Sequence, residues 1–364
     1  MVITVLSLVV AVLFPLYFVY HLWTTSFPTV SAWGVNAATG FTVLGLMLVV
    51  GRWDLAGVSL RYGLYGLYAL AMIASWSRVS DRPVFADDRW HVSWSALADV
   101  AVMLCVVGWT LVGYWPAQSP TNVELPLHGE QYYVVHGGGT YPLNYHGLFA
   151  SSQTYAVDIT QLNEWGMRAS GLYPEELKQY NIYGAPVYSP VGGTVVRAVD
   201  RFADLTPGHR HPEHPSGNHV WVRQDSLYVV LAHLQHGSIR VSPGDRVAAG
   251  QPIGAVGNTG NTSEPHLHVH ALTYDGHTSS PDTLHRNGTP VPLAFNGRFP
   301  TRNNRFSHVR SSTESASRSD VPAHAFPKAI PPHHNGRLGR PSVSGRDERD
   351  PHGLLSARWS RTAR

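Results

Sequence analysis

Residues 263–272 read SEPHLHVHAL, with His266, His268 and His270 at every second position and Leu267, Val269 and Ala271 between them. In an extended strand alternate side chains share a face, so the imidazoles would line one side and the apolar residues the other. Same-face neighbours then stand about 6–7 Å apart. That lets one ring ligate a metal ion at about 2 Å while the next works beside it. An H-x-H pair alone reads equally well as two hydrogen-bonded histidines, so its neighbours decide. The stretch NYHGLFASSQTYAVDI adds His146 and Asp158, and YVVLAHL adds His233. An aspartate in an apolar strand costs on the order of several kcal/mol if buried without a partner, so Asp158 calls for a cation or a set of donors. Two imidazoles and one carboxylate suit Zn²⁺ and leave a fourth tetrahedral position open, as catalytic rather than structural sites do.

The elements that must position these residues come from residues 128–299. Short Val-, Tyr- and Ile-rich runs, such as QYYVVHGG, TYAVDI, NHVWVRQ and LYVVLAHL, alternate with Gly, Pro, Asn and Asp. This spacing predicts a mainly antiparallel all-β domain, a sandwich or barrel. Pro265 suits the first position of a strand, and Gly244, Gly250, Gly254, Gly257 and Gly260 suit tight turns or close backbone approach. No G-K-[ST] follows them, which excludes a phosphate loop. PEELKQY adds a short helix. Residues 117–127 read as a Pro-containing linker without apolar period, and residues 300–364, rich in Ser, Pro, Arg and His, as a disordered basic tail.

Residues 1–116 are four apolar runs with Trp and Tyr at their ends, the pattern of about four transmembrane helices with interfacial belts. The first run lacks a basic n-region and a small-x-small cleavage site, so it reads as a retained helix. Arg78, Arg82 and Arg89 lie between the third and fourth runs, and no Lys or Arg follows the fourth until Arg168. The positive-inside bias puts that loop in the cytoplasm and the C-terminal domain outside the cell membrane. Arg52 and Arg61, on a turn this topology makes external, oppose it. The lone Cys105 permits no intramolecular disulfide, and the net charge of +3 together with the external placement gives no support to nucleic-acid binding.

Over residues 130–299, and above all in GNHV…LAHLQHGSIRVSPGDRVAAGQPIGAVGNTGNTSEPHLHVH, the chain resembles the M23 zinc metallopeptidases, the LytM and lysostaphin-like endopeptidases that cut peptide bonds in bacterial peptidoglycan. The resemblance implies a LytM-like barrel/sandwich hybrid holding one catalytic zinc on His146, Asp158 and His268. It implies His233 and His266 as the catalytic histidines beside the metal and peptidoglycan stem or cross-bridge peptides as substrate. His270 stands where the family commonly has Glu or Gln, and reads as a groove wall or a support behind the ligands. The interval from His146 to Asp158 exceeds the H-x-x-x-D of many members, so the two ligands are expected on different strands or a hairpin, with His136 as the alternative ligand. His209, His211 and His214 fall in a Pro- and Gly-rich loop without fixed ligand geometry, and Asn218 serves a turn.

Two rival readings remain. A catalytically inactive domain of the same fold would bind peptidoglycan or regulate a wall amidase. A phosphocarrier also presents paired histidines on a β domain, but needs no carboxylate ligand. Lipid and peptidoglycan are the partners this sequence implies; protein partners are not legible.

Overall fold

The computed structural model describes residues 2–85, 94–274, 283–284 and 287–307. The tail beyond 307 and Arg89 lie outside the described residues.

All four apolar runs form helices: α1 (Val2–Thr24), α2 (Val30–Val50), α3 (Leu60–Val79) and α4 (Trp94–Val112). Thr29 starts α2 by accepting the Ala32 N–H on its hydroxyl at 3.1 Å, which satisfies one of the first-turn donors. Helices α1 to α3 meet through Leu22, Phe27, Ala37, Leu44, Tyr68, Ala71 and Val79. Among the described residues two spans, Val5–Thr24 and Val30–Val50, are long and apolar enough to cross a membrane; Leu97–Val112 is a shorter apolar helix. All four runs are thus helical, but membrane-crossing length and composition are shown for two of them and not for four.

The β domain centres on a nine-stranded antiparallel sheet. Its strands are β2 (Tyr132–His136), β3 (Val157–Gln161), β5 (Gly193–Val199), β6 (His219–Gln224), β7 (Leu227–Ala232), β8 (Arg246–Val247), β10 (Leu267–Thr273), β11 (Thr289–Val291) and β13 (Arg305–Phe306). The order runs β13-β2-β3-β10-β7-β6-β5-β8, with β11 also paired to β10. A pair β4 (Pro186–Tyr188) and β9 (Pro252–Ala255) and a parallel pair β1 (Thr121–Val123) and β12 (Leu293–Phe295) close the other side.

The two-residue period sorts the faces. Leu267, Val269 and Ala271 of β10 join Val229 and Leu231 of β7 and Val157 and Ile159 of β3 in the main core. His268 and His270 point the other way, on the face where Leu272 meets Trp221, Tyr228 and Val230 farther along the sheet. The histidine row predicted for SEPHLHVHAL is therefore real, with His266 just ahead of the strand.

Two boundaries expected from the sequence need correction. Residues 117–127 are not a free linker, because Val123, Leu125 and Leu127 alternate into the main core and Thr121–Val123 pairs with Leu293–Phe295. Nor does the fold stop at 299, since Arg305 and Phe306 pair with Tyr133 and Tyr132 and Phe306 packs into the core.

Helices and β domain meet directly. Trp53 and Val58, from the connection between α2 and α3, pack with Tyr133, Val135 and Leu162 of the β domain. Asn303 Nδ2 donates to the carbonyls of Leu48 at 3.1 Å and Val49 at 2.7 Å, filling acceptors that the end of α2 leaves without an intrahelical partner.

Candidate metal centre

Pairing brings the sequence-distant ligands together. His268 on β10 stands opposite Asp158 on β3, and Asp158 in turn stands opposite His136 on β2. Directly opposed residues on one sheet face have Cβ atoms about 4.5–5.5 Å apart, so the carboxylate and the imidazole must meet. Asp158 Oδ1 lies 2.9 Å from His268 Nδ1. His146 comes from neither a strand nor a hairpin. It opens a single helical turn, α5 (His146–Phe149), and places Nε2 3.3 Å from Asp158 Oδ2. One ligand atom from each of His146, Asp158 and His268 fits within a set whose members all lie within 4.8 Å of one another.

Each ligand ring is oriented from behind. The Asn144 amide nitrogen donates to the carbonyls of Gly138, Thr154 and Ala156 at 3.0, 3.1 and 2.8 Å, which leaves its oxygen as an acceptor. That oxygen takes the His146 Nδ1–H at 2.8 Å and frees the Nε2 lone pair for the site. His268 Nε2 meets His270 Nδ1 at 3.0 Å, so His270 supports a ligand from behind and leaves Nδ1 of His268 facing Asp158.

The same accounting applies to the two histidines expected beside the metal. His233 Nδ1 donates to the Thr259 carbonyl and His266 Nδ1 to the Glu264 carbonyl, both at 2.8 Å. Both rings therefore present Nε2. His266 Nε2 lies 3.5 Å from Asp158 Oδ1, and the His233 ring centroid is 4.8 Å from that of His266 and 5.7 Å from that of His268. His233 holds a left-handed backbone conformation, φ 62°, in which side chains other than glycine are uncommon. Close approach supports it: a Cβ on Gly217 would stand 2.3 Å from the Thr259 carbonyl, and one on Gly260 would stand 2.4 Å from the Gly217 nitrogen.

This arrangement fits a cation. With their Nδ1–H groups used elsewhere, neutral His146 and His266 turn lone pairs toward a buried carboxylate. Acceptor then faces acceptor unless a proton or a metal ion lies between them. Burial by itself would raise the pKa of Asp158, but the imidazoles of His146, His266 and His268 around it hold it well below the ordinary carboxylate value, the direction in which a bound cation would also act. Burial pushes His233 well below the ordinary histidine value, with His266 and His268 adding to the effect. Burial also lowers His268, against the pull of Asp158. A buried anion ringed by imidazoles whose open nitrogens face it is a donor set for Zn²⁺.

The remaining candidates stand apart. His136 is buried beside Asp158, but its Nε2 meets the Tyr145 hydroxyl at 2.9 Å, and it takes no place in the ligand set. His209, His211 and His214 do not join a metal-holding group among the described residues, and His214 packs on Phe202. Asn218 serves a turn, accepting the Arg201 and Phe202 N–H groups and donating to the Phe202 carbonyl.

Residues 179–281 match the model of peptidase family M23. Over those residues the chain is similar to M23 peptidases. The matched stretch includes His233, His266 and His268 but stops short of His146 and Asp158, which the fold alone brings in. The peptidoglycan DD-endopeptidase ShyA of Vibrio cholerae is 29% identical over 140 residues, covering 38% of this chain and 31% of that protein. The glycyl-glycine endopeptidase ALE-1 of Staphylococcus capitis is 32% identical over 103 residues, 28% of either chain. The chain thus spans less than a third of the length of these curated relatives. Among solved structures, the antimicrobial peptidase lysostaphin of Staphylococcus simulans aligns at 23% identity over 42% of this chain and 48% of its own, with a TM-score of 0.26.

Sequence reasoning missed two sets of residues around the domain's site. Asn144 carried a local signal, since Asn two residues before a histidine is placed to bond it. Glu264, with Arg52, Asp54 and Arg168, carried none.

Proposed function

We propose that the protein is a membrane-anchored zinc metalloendopeptidase that hydrolyses peptide bonds of peptidoglycan, in stem or cross-bridge peptides. The observation that carries this reading is the convergence of His146, Asp158 and His268, with both ligand rings oriented from behind and the Nε2 face of His266 turned to the same carboxylate. One zinc ion bound there would supply Lewis acidity toward water and toward the scissile carbonyl. The chain's own residues would handle the protons. His233 and His266 keep Nδ1–H on backbone carbonyls, so each can accept a proton at Nε2 from the attacking water. The ring so protonated can then donate at Nε2 to the oxyanion or to the leaving amine. Asn144 and His270 would hold the ligand rings still during this exchange.

Peptidoglycan as substrate rests on the family match and on the activities named for the relatives. The membrane anchor rests on α1 and α2, whose crossing spans are only 17% and 28% buried and leave Leu13, Phe14, Trp23 and Phe41 exposed. Exposed apolar surface on that scale marks a bilayer or a partner. In a four-span topology, Arg78 lies at the cytoplasmic end of α3 and donates to the Leu22 and Trp23 carbonyls, while the β domain sits at the other, external end.

The test uses the full chain in detergent, with metal analysis and mass spectrometry of purified wall material after digestion. One equivalent of zinc and release of defined peptides is the expected result. Zinc retained with no peptide released from any wall fraction would favour the inactive, peptidoglycan-binding reading instead.

A further inference from the structure

Four charged side chains outside the metal-ligand set are buried together where the connection between α2 and α3 meets the β domain. Arg52 donates from Nε and Nη2 to Asp54 Oδ1 and Oδ2 at 2.8 and 2.7 Å, and from Nη2 to Glu264 Oε1 at 2.7 Å. Arg168 donates from Nε and Nη2 to Glu264 Oε2 at 2.8 and 2.5 Å. The Arg168 backbone N–H also donates to the Asp54 carbonyl at 3.0 Å. All four residues are under a tenth exposed.

Glu264 ties this network to the site. Its backbone carbonyl receives the His266 Nδ1–H at 2.8 Å and the Thr262 hydroxyl at 2.8 Å, so it sets both the tautomer and the orientation of that ring. The carboxylate of the same residue is held from both sides by guanidinium groups. One of these belongs to the helical region, 212 residues away along the chain. A planar guanidinium holding two carboxylates at once is a rigid clamp that an ammonium cannot reproduce.

We infer that Arg52 is a positioning residue of the active site: through Glu264 it holds the carbonyl that keeps His266 protonated at Nδ1 and aims its Nε2 at the metal centre. The helical region then completes the site as well as anchoring it. This inference rests on the proposed peptidase function, and its test includes a readout that does not depend on hydrolysis.

The experiment uses the full chain in detergent with zinc, as wild type, Arg52→Ala, Arg52→Lys, Glu264→Gln and the Arg52→Ala/Glu264→Gln double variant. Zinc content, unfolding temperature, kcat and KM on a cross-linked muropeptide are measured, together with long-range ¹H–¹⁵N imidazole spectra in which His266 is assigned by difference. Arg52→Ala is expected to keep its zinc and a KM within about twofold of wild type. Its kcat should fall about tenfold to a hundredfold, the effect of a reacting group displaced by about 1 Å. Its His266 ring should exchange between tautomers where wild type shows Nδ1–H alone. Lysine should restore part of kcat, and the double variant should lose no more than the worse single one. A folded Arg52→Ala with unchanged kcat and unchanged tautomer overturns the inference. So does a loss of activity that only follows the unfolded fraction, with lysine no better than alanine. If Arg52→Ala does not fold, the isosteric Glu264→Gln decides by the same two readouts. Wild type that binds zinc and cuts nothing defeats the peptidase reading, and the tautomer comparison still judges Arg52.

Discussion

The protein buries two clusters of ionisable groups close together, and they differ in charge balance. Around Asp158 there is one carboxylate, with His146, His233 and His266 bonding their Nδ1–H groups away from it and His268 turning Nδ1 toward it. Around Glu264 two arginines meet two carboxylates, and every charge has its partner inside the cluster. The first has no cation of its own, which is what supports the proposed metal site. The second is complete and so is a joint. Burial is comparable in both; the presence or absence of an internal counter-charge separates a ligand site from a structural one.

If that distinction holds, the largest effects come from the incomplete cluster. Asp158→Ala and His268→Ala should each abolish both zinc retention and peptide release, read by metal analysis and by digestion of wall fragments, while zinc returned to chelated wild type should restore activity. His233→Ala and His266→Ala should keep the metal and lower kcat by about 10²–10⁴-fold, the span expected for a lost proton-transfer group. In the balanced cluster, Glu264→Ala leaves two buried guanidinium groups facing one carboxylate and should cost about 3–5 kcal/mol of stability. Denaturant unfolding in detergent would measure it, and Arg52→Met paired with Glu264→Met, which keeps the charges equal, should recover most of the loss.

The same joint makes a prediction in acid. Burial by itself would raise the pKa of Glu264, but Arg52 and Arg168 bring it from 4.5 down to about 2. A carboxylate depressed in the folded state contributes fully above pH 4.5 and loses that contribution as pH falls toward 2. The contribution lost is on the order of 3 kcal/mol. Unfolding temperature followed over that interval should fall more steeply for wild type than for Glu264→Gln; parallel curves would remove the joint's role. The smallest expected effect is Asn144→Ala, a tenfold to hundredfold weakening of zinc affinity of roughly the size seen when a ligand's supporting partner is removed. Competition with a zinc chelator would read it.

How much of this was legible in the sequence follows the range of the interactions. His266, His268 and His270 announced themselves because their two-residue spacing is a local property of one strand. Asp158 did so because a carboxylate among apolar residues demands a partner. His146 stands out by its neighbours but its element does not, since a four-residue helical turn leaves no period to read. Val123, Leu125 and Leu127 do alternate, yet Pro and Asn around them made the stretch resemble a linker; only its pairing with Leu293–Phe295 shows it to be core. By the positive-inside bias alone Arg52 is a charge that opposes the topology. The structure pairs it with Asp54 and Glu264, which gives its place in the connection between α2 and α3 a cause unrelated to the positive-inside bias. Nothing local links residues so far apart in the chain.

Asn303 has a mechanical consequence. By bonding the Leu48 and Val49 carbonyls near the end of α2 it ties the β domain directly to that helix. On the proposed reading, an enzyme so seated would have no swinging arm: the height at which it cuts would be set by its own dimensions, and strands of the wall would have to be brought to it.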